Sequence, residues 1–379
     1  MCYNNYREKN VKRHTYEIQM KFIYCLLLLV NFCYSYNYNK LLFTNRWYVI
    51  GRTETFAMNR PKQVIINNTP ISVWKDAEGF SGIHDVCPHR GASLSKGRFD
   101  TTMNCVVCPY HTFKFNSTGR MVQTPGQVTS RQNSTYNART DVPFYNIIAH
   151  QGWLFLQDTP IYDVKPGDII KALDWIEPET MDITFRYVSI EKDFNTDART
   201  VTENSLDILH ISEVHTFGNR KRPLPISERI ERNVHTGRTK AIYEYSSGDN
   251  SIAKKIFGIN TLVVENEYIL PHYTIARVKF GKFVNTVVTS ALPINKTKTR
   301  LFVKVYRNNW VFDDPILNKI FDNITRSIMK KTLCEDQTVL ESIDFSNREG
   351  NFITKYDELT RMYRADYANY MGELIDNTD

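Results

Sequence analysis

Residues 87–111 read CPHRGASLSKGRFDTTMNCVVCPYH and set Cys87-x-His89 against Cys108-x-x-His111, with eighteen residues between the pairs. No other stretch constrains the fold as strongly, because both pairs must reach one place before their chemistry makes sense. Two thiolates and two imidazoles in this alternating order suit an iron pair whose two metals have different ligands. One iron takes both sulfurs and the other takes both nitrogens. Replacing two thiolates by neutral imidazoles raises the reduction potential above that of an all-cysteine cluster. Two readings compete. Two Cys and two His also make tetrahedral zinc sites, and Cys105 with Cys108 forms a Cys-x-x-Cys that suits redox or zinc chemistry. Zinc modules usually pair like with like, however, and here each half holds one Cys and one His. The Cys-x-x-Cys reading leaves Cys87, His89 and His111 without a role, so Cys105 is expected to be a packed strand residue.

The flanking sequence reads as short strands. WYVIGR, VIIN, ISVWKD and FSGIHDV precede the motif, each a run of four to seven residues broken by Asn, Pro, Asp or Gly. FKFN follows, and NIIAH and WLFLQD on either side of Gln151–Gly152 read as a closing hairpin. At 379 residues the chain can bury a full core and hold two domains. Its 42% hydrophobic and 23% charged content is that of an ordinary globular protein. The net charge of +7 is concentrated at the start, where residues 1–40 hold six Lys/Arg against two Asp/Glu, so nothing asks for nucleic acid.

Residues 1–40 form a separate segment. A polar, basic stretch leads into an apolar run from Phe22 to Phe32, short for a bilayer span and suited to a signal h-region, with small Ser35 behind it. Seven cysteines in 379 residues do not make a disulfide framework, and an oxidising lumen is a poor place to assemble an iron–sulfur cluster. The segment is therefore expected to be a membrane anchor, part of an organelle-targeting sequence of plastid type, or residue from a start upstream of Met20. A buried helix, with the protein in the cytoplasm, is the alternative. Sequons such as those at Asn116 and Asn133 decide nothing in an Asn-rich chain.

A second constellation lies at 202–218, TENSLDILHISEVHTFG. Asp207 and His210, three apart, share a face if the segment is helical. His215 lies five further on, so the helix must loosen before both imidazoles can address one metal. A carboxylate from elsewhere would complete a facial 2-His-1-carboxylate set, which leaves positions open on iron(II) for dioxygen and substrate. Asp336, in LCEDQTVLES about 120 residues downstream, is the best candidate, with Glu335 as its rival. His14, His84, His150, His235 and His272 have no partners in sequence and read as structural or surface residues. FVNTVVTSALPIN and TRLFVKVYR alternate as strands of an antiparallel sheet, with Leu301, Val303 and Val305 on one face. Ile316, Leu317, Ile320, Phe321, Ile324 and Ile328 form a helical stripe, as do Leu359, Tyr363, Tyr367 and Tyr370 within 356–374. Both stripes are expected to face the core.

The wording CPHRGASLS–CPYH, with the motif at 202–218 behind it, resembles that of Rieske oxygenases. The resemblance covers about 44–379, and residues 1–40 have no counterpart in it. It implies an α+β protein, with an all-β Rieske domain at 44–160 followed at 161–379 by a helix-grip catalytic domain, an antiparallel sheet with helices. It implies a [2Fe–2S] cluster on Cys87, His89, Cys108 and His111, and a mononuclear Fe(2+) on His210, His215 and Asp336, which occupies the family's ligand position beside Glu335. Ala92 and Tyr110 stand where respiratory Rieske proteins resemble one another in carrying a disulfide, which favours the oxygenase type. Asp207 in this family accepts the other N–H of a ligating histidine and bridges to a cluster histidine of the next subunit, which implies a head-to-tail homotrimer. Asn204 matches a family residue close to the iron.

The implied activity is O2-dependent hydroxylation or oxidative demethylation of a small, largely apolar organic substrate. Aromatic cis-dihydroxylation and a non-catalytic electron carrier are the alternatives. No G-x-G-x-x-G is evident, so a separate reductase or ferredoxin is expected to supply electrons. Two departures stand out. Thr112–Phe113 replaces the usual Gly-Trp after the second cluster histidine. The chain also lacks a cysteine after Cys334 and ends polar, unlike the enzymes of chlorophyll breakdown that end with Cys-x-x-Cys and a membrane segment.

Overall fold

The computed structural model describes residues 47–128, 135–163, 177–216, 220–221, 223–233, 238–246 and 261–372. The expectations for residues 1–40, and for His14, His235 and the end of the 356–374 stripe at Leu374, lie outside that set.

Strands dominate the described residues of the first part, with short 3-10 turns at Thr53–Thr55 and Leu94–Lys96. β1 (Trp47–Arg52), β11 (Ile147–His150) and β12 (Trp153–Gln157) form one sheet, ordered β1-β12-β11. The hairpin between β11 and β12 is the one expected: Gln151 and Gly152 both take positive φ (50° and 78°), as a type I′ turn requires. A second sheet runs β10-β4-β3-β2, from β2 (Lys62–Ile66), β3 (Thr69–Lys75), β4 (Phe80–His84) and β10 (Phe144–Tyr145). A third orders β5 (Arg98–Asp100), β6 (Cys105–Val107), β7 (Lys114–Phe115), β8 (Met121–Thr124) and β9 (Gln127–Val128) in sequence. The two Cys/His stretches are the connections that follow β4 and β6.

The second part is a seven-stranded sheet, ordered β13-β19-β18-β17-β16-β15-β14. Its strands are β13 (Arg186–Phe194), β14 (Ser227–Asn233), β15 (Arg238–Ser246), β16 (Thr261–Ile269), β17 (Tyr273–Phe280), β18 (Phe283–Asn295) and β19 (Lys298–Arg307). Among the described residues four α-helices accompany it: α1 (Ala198–Leu206), α2 (Ile211–Val214), α3 (Pro315–Leu340) and α4 (Glu358–Gly372). This is the α+β arrangement of a β-domain followed by a sheet with helices.

The period-two alternation of the strands divides the work of the sheet. Tyr273, Ile275, Val288, Leu292, Phe302 and Tyr306 join one hydrophobic cluster with Tyr48, Val49 and Phe155 of the first part. Their neighbours Ala291, Leu301, Val303 and Val305 face the other way and pack with Val201 of α1 and Leu333 and Leu340 of α3. The β-domain therefore backs onto one face of the sheet, and the helices cover the other.

A polar centre lies within the first interface. Lys304, 1% exposed, donates to the Gln151 carbonyl oxygen at 2.5 Å, lies 3.3 Å from Glu177 and sits 4.5 Å over the Trp153 ring. Tyr273 and Tyr306 donate to the same Glu177 carboxylate. Burial pulls the Lys304 ammonium down to about 8 in spite of Glu177. Pairing is what makes such a buried charge tolerable.

The two helical stripes part company. Leu359, Tyr363 and Tyr370 of α4 are buried as expected, with Tyr367 packed beside them. In α3 the expectation is overturned: Ile316, Leu317, Ile320, Ile324 and Ile328 are exposed, by 41–70%. The inward face of α3 instead carries Asn318, Met329, Leu333, Asp336 and Leu340. Its N-terminal half is fixed by polar contacts, Asp322 to Arg186 (2.8 Å) and Arg307 (2.6 Å), and Asn318 to the Phe312 backbone. Those contacts turn the isoleucines outward. Leu333→Ala should accordingly cost about 2–4 kcal/mol in chemical denaturation. Ile324→Glu should stay within about 0.5 kcal/mol of wild type.

His272 is a buried core histidine, 3% exposed, whose Nδ1 lies 3.1 Å from Thr202 Oγ1 and 3.0 Å from Tyr363 Oη. Burial lowers its pKa from 6.5 to about 3. Below pH 6.5 the unfolded chain takes up a proton there and the folded chain does not. Stability is therefore full above pH 6.5 and falls by about 1.4 kcal/mol per unit as pH drops toward 3. Urea titrations at pH 7 and pH 5 should show this loss in wild type and a shallower one in His272→Gln.

Candidate metal centres

The two cysteine loops share one backbone design. Cys87 N–H donates to Ala92 O (2.9 Å) and Gly91 N–H to Cys87 O (2.8 Å); Cys108 N–H donates to Phe113 O (2.8 Å) and Thr112 N–H to Cys108 O (3.1 Å). Each loop turns through one left-handed residue, Gly91 (φ 72°) or Thr112 (φ 62°). Thr112 thus adopts the conformation that the more usual glycine would take freely. Phe113 fills the next position, its ring 4.9 Å from that of His89.

The first loop is held by Asp85, 1% exposed, which accepts from Gln63, from the Ser93 hydroxyl and from both the amide and hydroxyl of Ser95, at 2.5–2.7 Å. Gly97 closes it: a Cβ there would lie 1.9 Å from the Val107 carbonyl oxygen, so only glycine lets the loop reach β6.

The loops bring like ligands together. Cys87 and Cys108, each 1% exposed, lie side by side, their thiols in hydrogen-bond contact. Nδ1 of His89 lies 3.1 Å from Nδ1 of His111 at the outer surface. A single tetrahedral zinc would hold all four donor atoms about 3.5 Å apart. Among the described residues, three or more such donors come within 4.8 Å of one another only at His210, His215 and Asp336. The four Cys/His side chains therefore form two separate pairs, which suits two irons and not one zinc. Burial, with the Cys108 sulfur beside it, pushes the Cys87 thiol up to about 11, so the paired thiolates call for cationic charge. Cys105 points elsewhere; it is fully buried in β6 and donates to Met103 O at 2.9 Å.

The second centre is built where α1 ends. Asp197 caps its start, accepting from Thr200 N–H at 3.1 Å, and Asn266 of β16 donates to the carbonyl of Leu206 at its end. The helix does not continue through Asp207, which turns extended (ψ 133°). Its carboxylate accepts from Leu209 N–H at 2.7 Å, and it meets His210 Nδ1 at 3.2 Å across this turn and not along a helix face. One helical turn, α2, separates His210 from His215, which is again extended (ψ 138°). This double break supplies the loosening that a five-residue spacing needs.

Nε2 of His210 lies 3.5 Å, and Nε2 of His215 3.4 Å, from the same oxygen of Asp336 on α3. That oxygen, Oδ1, is buried and has no hydrogen-bond partner. Asn204 of α1 donates to the Asp336 carboxylate, while burial pushes its carboxyl up. Two imidazole nitrogens converging on an orphaned carboxylate oxygen fit the donor set of a non-haem iron. Glu335, the rival carboxylate, lies on the other side of His215, with Oε2 3.2 Å from Nδ1. Sequence reasoning did not anticipate that contact or the Asp85 hub, since His215 lies 120 residues from Glu335 and the partners of Asp85 carry no spacing that marks them.

A cavity of about 440 Å³ opens onto these residues. Its walls include the helix-side strand positions, such as Leu262, Val264, Val287 and Leu301, with Phe194 and Leu333. No Lys or Arg lines it among the described residues.

The family model of the Rieske [2Fe-2S] domain matches residues 46–143. Pheophorbide a oxygenase of Oryza sativa subsp. japonica, a chloroplastic protein, is 25% identical over 296 residues, covering 73% of this chain and 51% of its own. The chain thus spans about half the length of that relative and of its Arabidopsis thaliana counterpart. The oxygenase component of dicamba O-demethylase from Stenotrophomonas maltophilia is 24% identical over 318 residues, covering 79% of this chain and 87% of its own. The crystal structure of dicamba monooxygenase bound to 3,6-dichlorosalicylic acid shares the fold, with a TM-score of 0.69 at 20% identity, covering 89% of this chain and 99% of that one. With a Rieske [2Fe-2S] domain, the fold of dicamba monooxygenase behind it and oxygenases among its relatives, the chain is similar to Rieske oxygenases, and these findings support a [2Fe–2S] cluster and a non-haem iron as its cofactors.

Proposed function

We propose that this chain is the oxygenase component of a multicomponent system that hydroxylates or oxidatively demethylates a small, largely apolar organic substrate. The observation that carries the reading is the convergence of His210, His215 and Asp336 at an apolar cavity, in a chain that also pairs Cys87 with Cys108 and His89 with His111. In this reading Cys87, His89, Cys108 and His111, in a domain spanning 44–160, hold the cluster. His210, His215 and Asp336, in a domain spanning 161–379, hold the iron. Bound there, the two groups would supply single electrons and dioxygen activation.

The protein does the rest. Asn204 holds the Asp336 carboxylate, Asp207 keeps the proton of His210 on Nδ1, and the cavity walls exclude water and favour uncharged substrates. Relatives named as oxygenase components, from dicamba O-demethylase and 3-ketosteroid-9-alpha-monooxygenase, support a separate reductase or ferredoxin. His89 is exposed and the Asp207 side chain is 33% exposed, so each is open to a neighbouring copy. A cyclic homotrimer would bring them together. An organellar location is supported by the chloroplastic relatives. Among the described residues no helix is long and apolar enough to cross a membrane.

The test is incubation of the purified chain, a reductase and reductant with host extract under ¹⁸O-labelled dioxygen. Labelled hydroxylated products are expected, or formaldehyde formed in step with dioxygen uptake, its labelled oxygen trapped by reduction before it exchanges with water. Products carrying two labelled oxygens on adjacent carbons would indicate dihydroxylation, and no label at all would remove the oxygenase reading.

A further inference from the structure

The two imidazoles that face Asp336 are each held from behind by a different carboxylate. Asp207 Oδ2 lies 3.2 Å from Nδ1 of His210, and Glu335 Oε2 lies 3.2 Å from Nδ1 of His215. On the other side, both Nε2 atoms look at Asp336 Oδ1, at 3.5 and 3.4 Å. Glu335 and Asp336 are consecutive on α3, and consecutive helical residues project about 100° apart. One turn of one helix therefore straddles the His215 ring, with a carboxylate at each nitrogen. Glu335 also accepts the hydroxyl and backbone N–H of Thr216, which ties down the chain just past His215. Lys331, one turn earlier, stands 3.9 Å from its other oxygen.

We propose that Glu335 is a positioning residue of the iron centre: by accepting the Nδ1 proton of His215 it fixes the tautomer that leaves Nε2 free to ligate. The inference rests on the assignment of iron to His210, His215 and Asp336 and deepens it. A neutral imidazole carries one N–H, and the nitrogen that bears it cannot bind a metal. Without an acceptor at Nδ1, part of the population carries the proton on Nε2, and the ring is free to turn about its Cβ–Cγ bond. Partners of this kind typically contribute 10- to 100-fold in metal affinity. Glu335 is poorly placed as a ligand itself, because the two ring nitrogens point in divergent directions and its carboxylate addresses the one facing away from Asp336.

The test uses the full chain with its cluster intact. The mononuclear site is titrated with Co(II) against a competing chelator, and its d–d spectrum reports the ligand field. Glu335→Ala should bind Co(II) about 10- to 100-fold more weakly than wild type. Glu335→Gln should stay within a few-fold, because its carboxamide oxygen still accepts from Nδ1. Asp336→Asn should lose the site. The cluster's visible spectrum should be unchanged in all three, and Glu335→Met, which keeps the stem without an acceptor, replaces the alanine variant where that does not accumulate. Wild-type affinity in Glu335→Ala, or equal weakening in the glutamine and alanine variants, overturns the proposal. Complete loss in Glu335→Gln would make Glu335 a ligand and overturns it too. If wild type itself takes up no Co(II), the iron assignment fails and the inference falls with it.

Discussion

Replacing His210 by Ala is expected to remove the mononuclear iron and lower turnover by about 100-fold or more, while the visible and EPR signatures of the cluster persist. The magnitude exceeds what loss of an outer partner costs, because a donor atom itself is gone. The site cannot compensate readily: the remaining donors, His215 and Asp336, lie on separate elements, the turn after α2 and the C-terminal end of α3. The fold should survive, since His210 sits between two helix ends and is absent from the hydrophobic clusters. Metal analysis and a melting curve on the same sample separate the two effects. Retained turnover at the wild-type rate would show that the chemistry is elsewhere.

The reciprocal experiment is Cys108→Ser. Here the expected result is loss of the cluster chromophore together with a large loss of stability, about 3 kcal/mol or more, confined to the β-domain. The reason is packing. Cys87 and Cys108 lie in a buried cluster with Trp74, Ile83, Leu94 and Phe115, so a metal bound there would be part of that domain's core. Serine would leave a hydroxyl in apolar surroundings and one thiolate without its partner. The mononuclear site should still take up iron, because His210, His215 and Asp336 belong to the helix-covered side of the other sheet. Together the two substitutions predict a double dissociation, each centre lost without the other. Loss of both metals in either variant would mean that the centres do not assemble independently.

How much of this was legible in the sequence depends on distance along the chain. The four proposed cluster ligands lie within one stretch of 25 residues, and their residue types name the chemistry before any fold is known. The β11–β12 hairpin is equally local, written in Gln151–Gly152. The mononuclear site is half legible: His210 and His215 show a spacing, but Asp336 lies about 120 residues away and only the family pattern picks it out. Asp207 and His210 looked like neighbours on a helix face; they are neighbours, but across a break that the Asp207 carboxylate itself helps to make by accepting from Leu209 N–H. The isoleucines of α3 were misread because periodicity reveals an apolar stripe without saying which side of the helix meets the core. There the decision belonged to Asp322 and Asn318, whose partners Arg186, Arg307 and the Phe312 backbone are tertiary or loop contacts. Asp85 and Glu335 were invisible as organisers for the same reason: a carboxylate's partners are set by the fold.

The most direct test of two separate iron centres in one chain is metal and acid-labile sulfide analysis of anaerobically purified protein, before and after mild chelation. Three irons to two sulfides per chain are expected, falling to two to two after chelation with the cluster spectrum intact. Zinc in place of iron at the Cys87–Cys108 pair, or a ratio of two to two from the outset in protein that turns over, would contradict the assignment of two iron centres.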